Sequence, residues 1–423
     1  MPSAAFHTLG CKVNQYDTEA MLEAFARAGY EIRSFDERAD VYVVNTCTVT
    51  GTGDRKSMNA VRRARRLNPE ADIVIAGCLA QRDGEKLLPT GARLIIGAAR
   101  RAQVVSLLEQ AQRENRQIVA VSDVLRVPYE PLTVSGDHGH TRAILKIQEG
   151  CDRYCAYCII PYVRGGIRSR PVEDVRQEAQ RLRDAGYAEL VLTGIHLTSY
   201  GRDLEGAGLA DAVRAAAASG VPRLRLGSLE PVIADDAFVD ALRDIPALCP
   251  QFHLALQSGS DEVLKKMRRR YTTAEFRKAA ERLEKAFPRC ALTTDVITGF
   301  PGETDRDFMS TCDFVREIGF SRIHVFPFSA RQGTPAEKMS GQVPKAVRQE
   351  RARALIDIGK STADIWAKGQ LGRVRPVLVE DEQDGVPTGY TPEYAPVRVP
   401  DGKKGEIRDV ALCAWDGEAF TGR

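Results

Sequence analysis

The sequence lacks long apolar runs. None of its 423 residues falls in a stretch of the roughly 18–20 apolar residues that a membrane-spanning helix needs. The opening residues, MPSAAFHTLGCK, also lack the charged segment and apolar run of a secretory signal peptide. We therefore expect a cytoplasmic protein without a membrane contact. Because that compartment keeps thiols reduced, the ten cysteines are not expected to form disulfides.

A strong charge of either sign is also missing, since the formal net charge is only +3 at pH 7. This balance decides neither for nor against a nucleic-acid partner, because a local basic patch can lie within a neutral total. The hydrophobic content of 43% excludes disorder of the whole chain. At roughly 100–200 residues per domain, the length predicts about two to four domains.

Short apolar runs alternate with helix-like stretches in the first part of the chain. The runs are AAFHTLG, VYVVNT, DIVIAG and RLIIG, and the helix-like stretches include 16–28 and 55–66. Strand–helix alternation is typical of a parallel sheet with right-handed connections. We predict an α/β multidomain protein whose residues 1–120 form a doubly wound parallel sheet. A segment rich in proline and glycine, 121–140, is predicted to be a linker.

A second alternating region follows over 141–365. Its candidate strands are RAILKIQEG, ELVLTGI (189–195), RLRLGSLE (223–230), FHLALQS (252–258), LTTDVITGF (292–300) and RIHVFPFS (322–329). Six such β/α units predict a partial (β/α)6 barrel, in which chemistry takes place at the carboxyl ends of the strands. Residues 366–423 alternate with turn signals and are predicted to form a small all-β barrel.

Three cysteines follow the first barrel strand at a CxxxCxxC spacing. Cys151, Cys155 and Cys158 lie in the loop where a catalytic group is expected. Thiolates select iron–sulfur clusters or zinc, and closed structural sites take four ligands. Three thiolates therefore leave one iron position open to a reactant. The alternative is a structural zinc site completed by a distant ligand.

Three other cysteines end predicted strands of the first domain. Cys11, Cys47 and Cys78 follow HTLG, VVNT and VIAG. Because parallel strands end at the same edge of a sheet, these thiols are expected to converge on a second metal site. The alternative is that they are buried small side chains. The remaining four, Cys249, Cys290, Cys312 and Cys413, fit no ligand pattern and are interpreted as packing residues.

The cysteine loop, with an aromatic residue before its last cysteine, resembles the radical S-adenosylmethionine (SAM) superfamily. The resemblance implies a [4Fe–4S] cluster whose open iron binds SAM and whose electron generates a 5′-deoxyadenosyl radical. It also implies that the cofactor contacts lie in the loop and after later strands, at Tyr157, Thr193, Gly194, Ser228, Glu230, Gln257, Ser258, Gly299, Gly302 and Glu303. Glycine and serine are also ordinary turn residues there, and Glu303 also suits a helix start.

Several blocks resemble the methylthiotransferase family of that superfamily. They are TLGCKVNQYDTEAM, VNTCTVTGTGDRKS, AGCLAQ, EGCDRYCAYCIIPYVRGG and TGFPGET. The resemblance implies an auxiliary-cluster domain, a radical SAM barrel and a terminal RNA-binding barrel called TRAM. It implies two [4Fe–4S] clusters, with an auxiliary one on Cys11, Cys47 and Cys78 that supplies sulfur, and a second SAM that supplies methyl. Asn14, Asn45 and Thr46 would tune this cluster or serve as ordinary turn residues.

The blocks GCKVNQYDTE and NTCTVT are most similar to the bacterial branch that modifies N6-threonylcarbamoyladenosine at position 37 of tRNA. The expected partners are tRNA and a reducing electron donor such as flavodoxin or ferredoxin, with the enzyme itself a monomer. The alternatives are the isopentenyladenosine branch and a methylthiotransferase of a ribosomal-protein aspartate. An alternative of another class is a non-enzymatic iron–sulfur or zinc scaffold that binds RNA.

Basic clusters are the candidate RNA contacts. One cluster consists of Arg55, Lys56, Arg62, Arg63, Arg65 and Arg66, and the segment KKMRRR (265–270) forms a second. Residues 366–423 carry eight basic and ten acidic side chains, so RNA binding there would depend on local patches. The predicted patches are Arg373, Arg375, Lys403 and Lys404, with Tyr390 and Arg398 as further candidates. Each cluster also fits a solvated surface.

Overall fold

The computed structural model describes residues 1–134 and 141–423, which form two compact units. Unit 1 comprises the described residues of Met1–Gly136 with Gln148–Arg170 and Ser329–Glu337. Unit 2 comprises the described residues of Asp137–Ile147 with Pro171–Phe328 and Lys338–Arg423. The CxxxCxxC loop thus shares a unit with the N-terminal cysteines, although we predicted it within the central domain.

Unit 1 is built on one six-stranded parallel sheet. Its elements are β1 (Ser3–Thr8), α1 (Lys12–Arg27), β2 (Glu31–Arg33), β3 (Val41–Thr46), α2 (Gly51–Leu67), β4 (Asp72–Gly77), α3 (Cys78–Asp83), β5 (Leu94–Ile96), α4 (Val104–Arg113) and β6 (Ile118–Ala120), with 3₁₀ turns at Gly84–Thr90 and Arg101–Gln103. The strand order is β2-β1-β3-β4-β5-β6. The four predicted strands of this region are present, and the short strands β2 and β6 were not predicted.

Both faces of this sheet are covered by helices. Successive residues of β3 alternate between the two cores, so that Val43 packs with Phe25 of α1, while Val44 packs with Val61 of α2. Because successive side chains of a strand point to opposite faces of the sheet, each strand contributes to both cores. The described part of the predicted linker also packs into the unit, where the Tyr16 hydroxyl donates to the Leu132 carbonyl over 2.6 Å.

Unit 2 contains the barrel strands and their helices. In chain order the elements are β7 (Arg142–Glu149), α5 (Ile160–Arg164), β8 (Arg168–Ser169), α6 (Val172–Asp184), β9 (Glu189–Gly194), α7 (Leu209–Ala217), β10 (Arg223–Leu226), α8 (Asp236–Arg243), β11 (Gln251–His253), α9 (Asp261–Lys266), α10 (Thr273–Ala286), β12 (Ala291–Thr298), α11 (Asp305–Ile318), β13 (Arg322–Pro327) and α12 (Lys345–Lys368). Of these, α5, β8 and the end of β7 belong to unit 1.

The barrel strands occur in two groups, β10-β9-β7 and β11-β12-β13. Parallel bridges at Leu224–Leu248 and Leu229–Leu254 connect the groups. All six strands predicted for 141–365 are therefore present. The helices pack outside them around one large apolar core that includes Leu190, Phe252 and Phe276.

The last part of unit 2 is a small closed barrel. It consists of β14 (Val374–Gln383), β15 (Val386–Tyr390), β16 (Pro396–Arg398), β17 (Ile407–Trp415) and β18 (Phe420–Gly422), in the order β14-β15-β16-β18-β17. Its own core includes Val377, Val397 and Phe420. The predicted all-β module is thus a closed barrel.

Across the described residues, none of the helices combines the length and the apolar character needed to cross a membrane.

Candidate metal centre

The three N-terminal cysteines follow three neighbouring strands. Cys11 is the N-cap residue of α1 and follows β1, Cys47 directly follows β3, and Cys78 directly follows β4. These strands lie side by side in the parallel sheet, and the strand order reverses between β1 and β3. In open α/β sheets, ligands bind at such a reversal, outside the carboxyl ends of the strands. The predicted placement of the three thiols at one sheet edge is therefore present.

A glycine lets the Cys11 loop approach Cys47. Gly10 has a φ of +104°, and a Cβ added there would lie 2.9 Å from Cys47 Cβ and 3.0 Å from its Sγ. Burial, together with the charges of Cys78 and Cys11, raises the pKa of the Cys47 thiol to about 11. The three thiols therefore share one electrostatic environment.

The ligand atoms determine which metal ion or cluster these three thiols can bind. Within residues 1–134 and 141–423, no three His, Cys, Asp or Glu side chains form a site for a single metal ion. The thiolates that hold a four-iron cluster each bind a different iron, so they need not meet around one ion. Thiols are also the ligands that such clusters take. The three thiols present fit the donor set of an iron–sulfur cluster.

Buried amide and hydroxyl groups join the three cysteine loops. Asn14 Nδ2 donates to the carbonyls of Leu9 (2.6 Å) and Thr46 (3.0 Å), and Asn45 Nδ2 donates to the Asn14 carbonyl (2.9 Å). Thr46 Oγ1 accepts from the Leu79 amide (3.2 Å) at the start of α3. Asn14, Asn45 and Thr46 therefore position the backbone that carries the cysteines. Whether they also tune a cluster stays a prediction.

A buried arginine links this cluster of loops to the CxxxCxxC region. Arg164 is fully buried, and its Nε donates to Cys78 Sγ over 3.1 Å. The same guanidinium contacts Glu149 at 3.0 Å and Asp17 at 3.1 Å, and it donates to Asn14. Arg101 pairs with the same two carboxylates. Sequence reasoning missed this group, although VRGG directly after the cysteine loop was a signal.

The CxxxCxxC loop is held by its own backbone. The Cys151 amide donates to the Gly165 carbonyl, and the Cys158 amide donates to the Cys155 carbonyl, both over 2.9 Å. Gly150 has a φ of +74°, and a Cβ there would lie 1.8 Å from the Gly166 carbonyl oxygen. The first two cysteines are buried, while Cys158 and Tyr157 are partly exposed. The glycines on either side fix the start and end of the loop.

Most of the other predicted SAM contacts lie after strands of unit 2. Thr193 and Gly194 end β9, and Ser228 lies exposed beyond β10. Glu230 is buried, with its carboxylate 2.8 Å from Arg269 and 3.2 Å from His196. Glu230 is thus already paired within the protein. Arg269 belongs to the basic segment 265–270 predicted to contact RNA, but its side chain is buried against Glu230 and stabilises the fold instead.

Strained backbone follows β11, the next strand of unit 2. Gln257 has a φ of +65°, which is rare for a residue other than glycine, and its amide donates to the Asp295 carbonyl over 2.8 Å. Strain of this kind clusters at functional sites. Ser258 is buried, with its hydroxyl 3.3 Å from that of Thr311. Gln257 is therefore the stronger candidate of the two for a ligand contact.

Glu303 closes the loop after β12. Its carboxylate accepts from the Gly299 amide (2.9 Å) and from Arg351 (2.6 Å). Burial raises the pKa of this carboxyl group. Gly299 and Gly302 both have positive φ, which the turn requires. Glu303 thus shapes the loop through protein contacts.

The predicted RNA contacts differ in exposure. Arg65 donates to three backbone carbonyls, and Arg375 pairs with Glu393, so both stabilise the fold. Arg373 is partly exposed and donates to Gln370. The exposed members are Arg55, Lys56, Arg62, Arg63, Arg66, Lys403 and Lys404, together with Lys265, Arg268 and Arg270 of the second cluster. This exposed group is the part of the predicted set that presents positive charge at the surface.

Two family models match the chain. Residues 3–97 match "Uncharacterized protein family UPF0004", and residues 145–315 match the radical SAM superfamily. The first range contains the N-terminal cysteine set, and the second contains the CxxxCxxC loop. The two cysteine sets therefore belong to separately recognised sequence families.

Curated relatives match nearly the whole chain. The threonylcarbamoyladenosine tRNA methylthiotransferase MtaB of Bacillus subtilis is 43% identical over 94% of this chain and 90% of its own length. The ribosomal protein uS12 methylthiotransferase RimO of a Synechococcus species is 36% identical over 93% of this chain and 84% of its own. The chain belongs to the radical SAM methylthiotransferase family.

A solved structure shares the fold. The radical SAM methyltransferase TsrM from Kitasatospora setae, determined with cobalamin and a [4Fe–4S] cluster, aligns with a TM-score of 0.56. The alignment covers 79% of this chain and 77% of that one, at 15% sequence identity. At this identity the likeness supports the radical SAM fold alone.

Proposed function

We propose that the chain attaches a methylthio group to carbon 2 of N6-threonylcarbamoyladenosine at position 37 of tRNA. The observation that carries this proposal is the presence of two three-cysteine sets in one compact unit, joined through Arg164. The 43% identity to a relative named for this reaction, against 36% to the ribosomal-protein enzyme, favours the tRNA nucleoside as substrate.

Each cysteine set would hold a [4Fe–4S] cluster. Cys151, Cys155 and Cys158 would bind the cluster that reduces SAM, and Cys11, Cys47 and Cys78 would bind the auxiliary cluster. Bound there, the two groups would supply one-electron cleavage of SAM and sulfur for the transferred methylthio group. The residues of unit 1 hold both loops in place, and half of these thiols are buried, which limits access of water to them.

The charges around Arg164 suit this role. Thiolates bring negative charge into a buried region, which is unfavourable unless it is compensated. Arg164 places a guanidinium against Cys78, and Glu149 and Asp17 balance its remaining charge. A charge-assisted hydrogen bond to a sulfur stabilises its ionised form. Burial still raises the pKa of Cys78, and Arg164 offsets part of that cost of ionisation.

We propose that SAM is contacted by Tyr157 of the loop and by residues after the barrel strands, with Thr193, Gly194 and Gln257 as direct contacts. Ser228, Glu230, Ser258, Gly299 and Glu303 complete the proposed set. Radical removal of an unactivated hydrogen is the chemistry that carbon 2 of adenine requires, because no side-chain base can take it.

The closed terminal barrel fits the TRAM module of this family. We propose that it and the exposed basic residues of α2 bind tRNA, and that flavodoxin or ferredoxin supplies the electron. Lys403 and Lys404 precede β17 of this module, are exposed and would contact phosphates.

Nucleoside analysis tests the proposal. The chain is expressed in a bacterial host that lacks its own tRNA and ribosomal-protein methylthiotransferase genes, and digested tRNA is analysed by mass spectrometry. We expect 2-methylthio-N6-threonylcarbamoyladenosine to appear, and to disappear with Cys47→Ala. Appearance of the isopentenyl derivative alone would support that alternative branch. Unchanged tRNA with a methylthiolated ribosomal aspartate would support the protein-modifying alternative.

A further inference from the structure

Unit 2 contains a cavity of about 380 Å³ where α12, the start of β13 and the small barrel meet. Four aromatic side chains line it, namely Trp366, Tyr390, Tyr394 and Trp415. The chain has only two tryptophans, and both are here. The volume is within the usual range of small-molecule sites. This part of the fold thus concentrates flat rings around an open space.

The rings are held in fixed positions. Trp366 Nε1 donates to the Cys290 carbonyl over 3.1 Å, and Trp415 Nε1 donates to Asp364 over 2.8 Å. The rings of Tyr390 and Tyr394 stack with their centroids 4.6 Å apart and an interplanar angle of 14°. Arg225 lies over the Tyr394 ring, 4.7 Å from its centroid, so Tyr394 supports the stack from within the protein. The two indole rings, whose N–H groups already have partners, and Tyr390 are therefore the preorganised surfaces for a flat ligand.

The cavity also has a cation at its edge. Arg322, the first residue of β13, lines the cavity and is exposed. It forms no ion pair with any residue that the structure describes. Of the two acids in the lining, Glu393 is neutralised by Arg375, and Glu418 is exposed to solvent. An exposed arginine beside aromatic rings is suited to the phosphate and base of one nucleotide.

We propose that this cavity binds an unstacked base of the RNA substrate, with Arg322 on the adjacent phosphate. The inference rests on the proposed function, since it adds a second anchoring site for the same tRNA. The cavity lies at the amino ends of β12 and β13, whereas the proposed SAM contacts follow carboxyl ends. A six-residue strand is about 20 Å long, so one RNA stem–loop would reach both ends. The bound base is therefore not the adenosine that is modified.

Tryptophan fluorescence tests the proposal, because both tryptophans report on this cavity. The full-length reconstituted chain is titrated with an anticodon stem–loop RNA, and binding is followed in parallel by the anisotropy of labelled RNA. We expect saturable quenching with the same midpoint as the anisotropy, and no quenching with a fully paired duplex of the same composition. Base–aromatic stacking is sequence-tolerant, so an RNA with a changed loop sequence should still quench the tryptophan fluorescence.

Variants distinguish RNA binding in the cavity from nonspecific attraction of RNA to positive charge. Tyr390→Leu keeps an apolar side chain but removes a ring, and we expect about tenfold weaker stem–loop binding. Arg322→Gln should weaken binding and reduce its salt dependence, whereas the matched control Arg214→Gln, on the outer helix α7, should change neither. Far-ultraviolet circular dichroism confirms that each variant is folded.

Two results would overturn the inference. One is stem–loop binding by anisotropy with unchanged tryptophan fluorescence, and the other is equal affinity of the Tyr390→Leu, Arg322→Gln and unaltered proteins. Neither result affects the proposed function, which depends on nucleoside analysis. Conversely, tRNA without a new methylthio nucleoside would contradict the proposed function, whatever the fluorescence shows.

Discussion

Arg164 lies in a group of buried charges with Arg101, Asp17 and Glu149. It contacts one cysteine of the N-terminal set, a carboxylate of α1 and a carboxylate at the end of β7. Removing one partner from a buried ion pair leaves an uncompensated charge, which is far more damaging than losing an exposed pair. Arg164 is therefore a positioning residue for Cys78.

Replacing Arg164 should lower both stability and iron retention. We expect Arg164→Gln to lose about 3–5 kcal/mol of unfolding free energy, because Glu149 and Asp17 stay buried beside it. Arg27→Gln, at an exposed arginine of α1, should behave like the unaltered chain. Chemical denaturation and iron analysis measure the two effects. Equal stability of the Arg164→Gln variant and its control would contradict this role.

Gly10 gives a test of the close approach between the Cys11 loop and Cys47. Gly10→Ala should reduce bound iron from about eight atoms per chain towards about four, because the added Cβ would collide with Cys47 and displace the auxiliary ligands. Gly29→Ala is the matched control, since Gly29 also has a positive φ but has no atom within 4 Å of the added Cβ. Iron lost equally from both variants would implicate backbone strain instead.

At the scale of elements, a buried cluster ties the terminal barrel to the strands of unit 2. Glu189 pairs with Arg223 at 2.8 Å and with Arg225 at 2.9 Å. The two arginines also donate to the carbonyls of Tyr390 and Pro392 in the terminal barrel. The starts of β9 and β10 therefore position the β module through charged groups rather than through apolar packing alone.

This cluster predicts a pH dependence. Burial alone would raise the pKa of Glu189, but Arg225 and Arg223 outweigh it, so the pKa lies below its ordinary value of 4.5. The folded state thus gains stability from this carboxylate above pH 4.5 and loses it as the pH falls through the lower, folded pKa. Glu189→Gln should lower the melting temperature at pH 7, and the difference should shrink below about pH 4.5.

Melting followed by tryptophan fluorescence measures that difference, since both tryptophans lie in or beside the terminal barrel. Glu173→Gln, at an exposed glutamate of α6 that pairs with Arg176, is the control and should change the melting temperature little at about pH 7. If the deficit of the Glu189→Gln variant stayed constant between about pH 7 and about pH 4, the carboxylate charge would not be responsible.

The elements were largely predictable because their signals are local. The apolar runs VYVVNT and DIVIAG correspond to β3 and β4, and the helix-like stretches 16–28 and 55–66 overlap α1 and α2. Helix α2 begins at Gly51, earlier than predicted, because Thr50 caps it and accepts from the Gly53 amide, whereas glycines in sequence suggest a turn. The edge strand β2 is short and exposed, so it has no apolar pattern to detect.

At the scale of the whole molecule, long-range contacts limited the prediction. The convergence of Cys11, Cys47 and Cys78 followed from parallel topology alone. The pairing of Arg164 with Asp17, and the insertion of Gln148–Arg170 and Ser329–Glu337 into unit 1, depend on contacts across more than a hundred residues. Arg331 illustrates this, since it follows the last barrel strand in the sequence yet lies 2.6 Å from Asp54. No periodicity in the sequence carries that information.

We propose that the two cysteine sets have separate tasks in one enzyme. The most direct measurement follows 5′-deoxyadenosine and methylthiolated nucleoside together, with reconstituted chain, SAM, a reductant and a tRNA substrate. We predict that Cys155→Ala abolishes both products, whereas Cys47→Ala abolishes the methylthiolated nucleoside but still forms 5′-deoxyadenosine. Full methylthio product from Cys47→Ala, or 5′-deoxyadenosine from Cys155→Ala, would contradict the account.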